Sequence, residues 1–497
     1  MRRREFLKKG VQAGAAVTLW PAGCAPRSHT AANLIVNDVH ARLNATLVHS
    51  VARPESLDTL RAAVDKAATH GRAVSIAGGR HAMGGQQFGR NTVLIDTTRM
   101  NRVLEFDDEH GRIEVEAGIQ WPQLISYLQQ ASVAGKRCWS IIQKQTGADG
   151  FCLGGALSAN VHGRGLQLKP FINDIESFTL INDTGKLLRC SRQGNAELFS
   201  LAIGGYGLFG VVWSVRLRLR PRTKLQRIVE IVDVDQLIPA FQQRIDEGCE
   251  FGDFQFAVDP KSHGFLRRGV FSSYRPVELD MPIPDGQRSL SESDWLTLVA
   301  LAHVDPTRAF EQYSAQYLAT SGQIYWSDTH QLSNYVRDYH ISLDPLTTAG
   351  QRATEVITEL YVPRLHLAQF LDVVRDDFRR HNVKLIYGTI RLIERDDESY
   401  LAWARQPWAC IVLNLHVNHS PEGLRRAAQH FRMLIDHAIR CGGSYFLTYH
   451  RYAQRDQVLR CYPQFPEFLR LKRRYDPGER FQSDWYRHYR DLLSDLI

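Results

Sequence analysis

The sequence predicts an α+β protein with a strand-rich first half. Three observations carry that expectation. Three glycine-rich segments interrupt residues 30–225, and each lies beside apolar runs of strand length. Between them, helical spacing appears only in short stretches. From about residue 225 the pattern changes to longer helical runs and a few buried strands.

Residues 47–53 read as a strand ending at Pro54. Ser56 then caps a helix in which Leu57, Leu60, Ala63 and Ala67 recur at helical spacing, ending near Gly71. Residues 73–76 form the next strand and feed the first glycine segment, residues 75–86, which returns to a strand at 93–96. Glycines there let backbone approach a ligand closely and offer bare N–H groups to an anion. His81 is a nucleophilic imidazole in the middle of that loop. A strand follows at 113–116, then a helix at 121–128 with Pro122 in its first turn. The second glycine segment, residues 147–165, contains Gly147, Gly154-Gly155, Asn160 and His162-Gly163. Two strands, 175–182 and 187–190, flank a turn at Asp183-Thr184-Gly185. The third segment, residues 197–212, carries Gly204-Gly205, Gly207 and Gly210-Val211, and leads into a strand at 215–219. No G-x-x-x-x-G-K-[ST] occurs, and the G-x-G-x-x-G spacing of Gly205, Gly207 and Gly210 leads into a strand, so it is not a Rossmann fingerprint. Three such segments in one domain therefore point to several loops converging on one long ligand, with backbone amides facing a pyrophosphate.

A chain of 497 residues has room for two or more packed domains. Hydrophobic residues at 44% and charged residues at 23% suit a soluble globular protein. The net charge of +8 is dispersed, which favours a mildly cationic enzyme surface over a nucleic-acid-binding face. The eight cysteines form no C-x-x-C pair and no metal-ligand spacing, so they read as scattered buried thiols and argue against structural zinc.

Arg3-Arg4-Glu5-Phe6-Leu7-Lys8 resembles the twin-arginine export signal, with Arg2 where Ser or Thr is usual. The weakly apolar stretch 10–20 after it is shorter than the ~20 residues a membrane-spanning helix needs. Residues 1–30 are therefore expected to be an export signal read by the twin-arginine machinery, giving a periplasmic or membrane-associated protein. The alternative is an amphipathic basic helix. Pro21-Ala22-Gly23-Cys24 partly resembles a lipobox, in which Cys24 would carry a lipid tether.

The three glycine segments, in this order, resemble the FAD-binding domain of the vanillyl-alcohol oxidase superfamily, also called the p-cresol methylhydroxylase type. The pieces are Gly78-Gly79-Arg80-His81, then Gly154-Gly155 with His162-Gly163, then Glu197-Leu198-Phe199 with Gly204-Gly205-Tyr206-Gly207-Leu208-Phe209-Gly210-Val211-Val212. The resemblance implies FAD, held covalently through His81 in many members. The family often has Gly and Ser where this chain has Arg80 and Ala82. Cofactor contacts are expected from Ala77, Gly78, Gly79, Arg80, His81, Ala82 and Gln86 of the first loop. Gly147, Gly154, Gly155, Asn160, His162 and Gly163 are expected from the second, and Gly205, Gly210 and Val211 from the third.

The C-terminal run Gly442-Gly443-Ser444-Tyr445-Phe446-Leu447-Thr448-Tyr449, with Arg473-Arg474-Tyr475-Asp476-Pro477 and Ser483-Asp484-Trp485, is similar to the end of decaprenylphosphoryl-ribose oxidase and of sugar-alcohol and aldonolactone oxidases. Tyr449 stands where those carry a lysine near the flavin, with His450 beside it. The resemblance implies an FAD-binding domain of two subdomains over 31–225, an antiparallel-sheet substrate (cap) domain over 226–440, and a segment 441–497 returning to the FAD domain. Within the cap, strands are expected at 229–234, 385–391 and 409–416, and helices at 234–244, 303–318 and 364–381. Residues 388–397 resemble the oxidases' strand in which E-x-R precedes D-D. Arg391 matches the arginine and Thr389 replaces the glutamate. Arg391 is thus a candidate to polarise a substrate oxygen, with an ion pair to Asp396 or Asp397 as the structural alternative. Asn414, His416 and Asn418 share one strand face, and His416 is a candidate general base, or else a hydrogen-bonded structural residue. Arg391, His416, Tyr449 and His450 are the catalytic candidates.

The implied chemistry is oxidation of a CH–OH group in a sugar, polyol or lactone, with oxygen, a quinone or a periplasmic carrier as acceptor. An exported electron-transfer subunit, or a non-catalytic flavin-binding relative, remains as the alternative class.

Overall fold

The computed structural model describes residues 34–333, 339–341, 343 and 351–497. The expected export signal at 1–30 and Cys24 lie outside the described residues. The chain is α+β with antiparallel sheets, as the sequence predicts. Among the described residues no helix is long and apolar enough to cross a membrane.

The first glycine segment springs from a three-stranded parallel sheet in which Val93–Asp96 lies between Ser50–Ala52 and Val74–Ala77. Helix Leu57–Thr69 connects two of these strands and packs Leu60, Val64 and Ala67 inward. Ser56 caps it as expected, accepting from the Thr59 amide in a reciprocal capping box. The strand predicted over 47–53 is two strands. Thr46–Val48 pairs antiparallel with Leu34–Val36, whereas Ser50–Ala52 pairs parallel with Val93–Asp96. The chain changes partner at His49, whose amide donates to the Thr92 carbonyl at 2.9 Å.

The other two glycine segments adjoin a five-stranded antiparallel sheet ordered Leu187–Ser191, Ile175–Ile181, Val211–Arg218, Arg112–Glu116, Val103–Asp107. Sheet membership changes after Arg218. Lys224–Asp233 begins an eight-stranded antiparallel sheet, ordered Ile324–Trp326, Lys224–Asp233, Arg268–Val277, Phe251–Phe256, Leu385–Ile393, Trp408–Asn418, Ala353–Pro363, Ser444–Tyr445. Helices Leu367–Arg380 and Pro421–Arg440 pack against Ala353–Pro363 through stripes such as Phe370, Val374 and Phe378, or Phe431, Leu434 and Ala438. The single helical run expected over 303–318 is divided. Glu292–Val304 ends at Asp305, which is extended before Pro306, and Pro306–Leu318 begins anew with the Asp305 side chain as its cap.

The C-terminal segment closes the parallel sheet. The Val74 amide donates to Arg480 O at 2.7 Å, and the Gln482 amide donates to Val74 O at 2.9 Å. This run is fixed by a fully buried ion pair between Lys472 and Asp476. The Asp476 carboxylate also accepts the amides of Arg480 (2.7 Å) and Phe481 (2.8 Å). Removing one member of such a pair strands the other charge without water. Asp476→Ala is therefore expected to lower the unfolding free energy by about 3–5 kcal/mol, read as a shift in the urea midpoint.

Candidate active site

The three glycine segments converge on one cavity of about 1390 Å³, counting its open mouth. Its walls draw on all three segments at once, as a long ligand requires. Gly78, Gly79, Arg80, His81, Ala82 and Gln86 line it from the first segment, with Gly147, Gly154, Gly155 and His162 from the second and Tyr206, Gly207 and Gly210 from the third. Ile357, Glu359 and Arg391 of the eight-stranded sheet, and Phe446, Thr448 and Tyr449 of the C-terminal run, complete the wall.

Close backbone approach explains the glycines of the first loop. A Cβ on Gly79 would lie 2.0 Å from the Gly150 carbonyl oxygen, and one on Gly78 2.7 Å from Cys152 Cβ. Arg80, where the resembled family has glycine, adopts φ +59°, a left-handed conformation costly for a side chain. Its guanidinium holds Asp96 at 2.9 Å and its carbonyl accepts the Val39 amide. His81 stacks on Phe151 with ring centroids 4.3 Å apart, and its Nδ1 lies 2.9 Å from His40 Nε2. Burial lowers the His40 pKa to about 4, so that ring is neutral at physiological pH. Gln86 ties this loop to the C-terminal run, donating to Thr448 O at 2.8 Å and to its hydroxyl at 2.9 Å.

Several polar atoms of the lining are buried without a hydrogen-bond partner: Gln86 Oε1, Gln87 Oε1, Gln145 Nε2, Thr146 Oγ1 and Arg391 Nε. Unpaired, each costs about 1–3 kcal/mol. Gly155, by contrast, has nothing within 4 Å of a Cβ position. A cradle of bare backbone with unsatisfied donors and acceptors fits a polar, phosphate-bearing cofactor such as FAD.

On the opposite wall Glu359 gathers four donors. His162 Nε2 lies 2.5 Å from Oε1, Tyr361 donates at 2.8 Å, Cys410 at 3.1 Å, and Tyr449 donates to Oε2 at 3.0 Å. Burial pushes the carboxyl pKa up, but the charge and hydrogen bond of His162, with the bonds from Cys410 and Tyr361, outweigh burial and hold it at about 2. Burial and the neighbouring Glu359 raise the Tyr449 phenol well above its usual value. Arg391 lines the cavity and makes no ion pair with Asp396 or Asp397. Asp397 pairs with Lys169 at 3.1 Å, and Asp396 accepts from Asn160 at 2.8 Å.

The remaining candidates sit elsewhere. Ala77 ends its strand beside Asp96. Asn160 is a buried left-handed helix cap bonded to Asp396 and to the Ile172 amide. A Cβ on Gly163 would meet Lys144 O at 2.8 Å, and one on Gly205 would meet Leu201 O at 2.1 Å. Val211 belongs to a core cluster with Leu60 and Ile181. His450 stacks on Tyr452, and burial lowers its pKa to about 4. His416 shares its strand face with Asn414 as expected, but its Nδ1 lies 3.0 Å from Glu355 Oε1, away from the cavity lining. Burial raises the Glu355 pKa, and His303, His416 and Tyr339 against its oxygens outweigh that and lower it. Neither His416 nor His450 reaches the cavity.

The principal residue missing from the sequence expectations is Glu359, with His40 and Phe151 beside His81. A signal was present. In Ala353–Pro363 the residues alternate, with Glu355, Ile357, Glu359 and Tyr361 on one face and Val356, Thr358, Leu360 and Val362 on the other. Cross-strand register places Glu359 opposite Val412 and Val412 opposite Thr389. The carboxylate absent at Thr389 is thus offered two strands over, about 9–10 Å away in the same row.

Residues 48–191 match a family model described as the FAD binding domain. The chain is 24% identical over 452 residues to L-gulono-1,4-lactone dehydrogenase of Mycobacterium tuberculosis, spanning 88% of this chain and 95% of that protein. It is 28% identical over 193 residues to mitochondrial L-galactono-1,4-lactone dehydrogenase of Brassica oleracea, spanning 38% of this chain and 31% of that one. It is 27% identical over 174 residues to L-gulonolactone oxidase of Bos taurus, spanning 35% and 38%. The chain thus carries an FAD-binding domain of the p-cresol methylhydroxylase type. It is an FAD-dependent oxidoreductase, similar to proteins named as aldonolactone oxidases and dehydrogenases.

Because the Glu359 pKa is depressed, its stabilisation is complete above the ordinary value of 4.5 and is lost as pH falls toward about 2. Over that window the wild type should lose roughly 3 kcal/mol more than Glu359→Gln does. Urea unfolding from pH 5 to pH 2 measures the difference.

Proposed function

We propose that this protein oxidises a CH–OH group of an aldonolactone or a closely related sugar or polyol. The observation that carries the reading is the single cavity, which joins the glycine cradle to Arg391, Glu359 and Tyr449. The relatives whose names specify 1,4-lactones support the substrate class.

Gly78–Ala82 and Gly147, Gly154, Gly155 and Gly210 would hold FAD, with His81 as the covalent anchor. Bound there, FAD supplies the two-electron acceptor for hydride from the substrate carbon. Arg391 draws electron density from the reacting oxygen and balances negative charge. Tyr449 directs its proton to Glu359, so its lone pairs are left to receive the substrate hydroxyl. As the hydride leaves the carbon, the hydroxyl proton passes to Tyr449 and the proton of Tyr449 passes to Glu359, so that the substrate leaves as a carbonyl compound; Glu359, with its low proton affinity, otherwise acts by charge and orientation. The finer architecture belongs to the same proposal: a two-subdomain FAD domain over 31–225, a cap over 226–440, a returning segment over 441–497, and export by residues 1–30. The oxidase and dehydrogenase names among the relatives leave oxygen, quinone and a protein carrier as acceptors to be distinguished by assay.

Purified protein should be yellow, and L-gulono-1,4-lactone or L-galactono-1,4-lactone should bleach its flavin anaerobically. Peroxide on admitting air marks an oxidase, and a dye or quinone requirement marks a dehydrogenase. Protein that takes up no FAD overturns the reading. For the anchor, acid precipitation of wild type should carry the flavin into the pellet, while His81→Ala should leave it in the supernatant. Flavin that pellets with His81→Ala rules His81 out as the attachment point.

A further inference from the structure

A second cluster of ligating side chains lies just beyond the cavity. His303, at the end of helix Glu292–Val304, and His416, on strand Trp408–Asn418, meet at Glu355 of Ala353–Pro363. His303 Nε2 and His416 Nδ1 each lie 3.0 Å from the same oxygen, Glu355 Oε1. The three donor atoms lie within 4.8 Å of one another. The side chains of His303, Glu355 and His416 are 1%, 4% and 13% exposed. Tyr339 donates to the second carboxylate oxygen and so fixes its orientation.

We propose that His303, Glu355 and His416 bind one divalent transition-metal ion, with zinc the first candidate. Two imidazoles and a carboxylate with an open fourth position form a recurrent zinc ligand set. Bonds of 2.0–2.2 Å at tetrahedral angles put neighbouring donors roughly 3.3–3.5 Å apart. The observed 3.0 Å separations need only a small expansion to admit an ion. Hydrogen bonding alone accounts poorly for His303. Neither of its buried ring nitrogens makes an aligned hydrogen bond among the described residues, although Nε2 approaches Oε1 so closely. The other cluster of this kind among the described residues, His162, Glu359 and Cys410, is less suited to a metal. Burial and Glu359 push the Cys410 thiol well up, and four donors already occupy the carboxylate.

Glu355 stands two residues from Ile357, which lines the cavity. Alternate residues of a strand are about 6.6–6.8 Å apart. Glu355 thus stands one strand repeat from the cavity wall, and the fourth coordination position is left for water or an oxygen of a small hydroxylated molecule.

The test uses the purified full chain, stripped with a chelator and titrated calorimetrically with zinc chloride. One equivalent of Zn²⁺ should bind per chain, and Cys138→Ser should bind it equally. Glu355→Gln and His303→Ala should weaken binding by about 100-fold or more, with circular dichroism reporting that they fold. Zinc-edge X-ray absorption on the wild type should show nitrogen and oxygen ligands at about 2.0–2.2 Å and no sulfur. This last measurement decides the matter even where a variant does not fold. No stoichiometric binding, sulfur among the ligands, or unchanged affinity in folded Glu355→Gln overturns the proposal.

Discussion

One buried carboxylate, Glu359, holds together lengths of chain far apart in sequence. It receives His162 from the second glycine segment, Cys410 and Tyr361 from the eight-stranded sheet, and Tyr449 from the C-terminal run. A lone carboxylate at this depth would be heavily penalised. Four donors make it tolerable, and because they come from separate parts of the fold, the anion is satisfied only when those parts are all in place. Networks of this kind are worth more than their separate bonds, and they fix geometry as well as energy. The same donors that suppress its proton affinity also aim Tyr449 and hold His162 at the cavity edge.

The cofactor half was legible in the sequence because glycine reports its own geometry. Gly78, Gly79 and Gly210 stand where another residue would collide with backbone or a neighbouring side chain, and such constraints leave a linear trace. Arg80 shows the limit of that trace. It keeps the left-handed conformation of a glycine, offset by Asp96 and Val39, and nothing local in the sequence announces it.

The substrate half was less legible for a different reason. Glu359, Arg391 and Tyr449 meet only because antiparallel strands align distant residues, and register is set by pairing partners that a single sequence does not specify. Phe251–Phe256 and Arg268–Val277 lie in the interior of the large sheet and were not anticipated. They are buried largely on both faces, so the alternation that betrays a half-exposed strand is blurred. His416 was assigned to the correct strand face but stands farther along the strand than the cavity reaches.

The pairing of Val74 with Arg480 and Gln482 carries a consequence in time. The parallel sheet bearing the first glycine loop borrows its last partner from a stretch 408 residues away, the separation between Arg72 and its contact Arg480. At about 5–20 residues per second, a ribosome makes that partner roughly 20–80 s after the strand itself emerges. Through that interval the loop lacks both this edge and the Thr448 contacts of Gln86. The cradle therefore matures only once residue 482 has been made, and a cofactor has to be acquired by a chain at least that long.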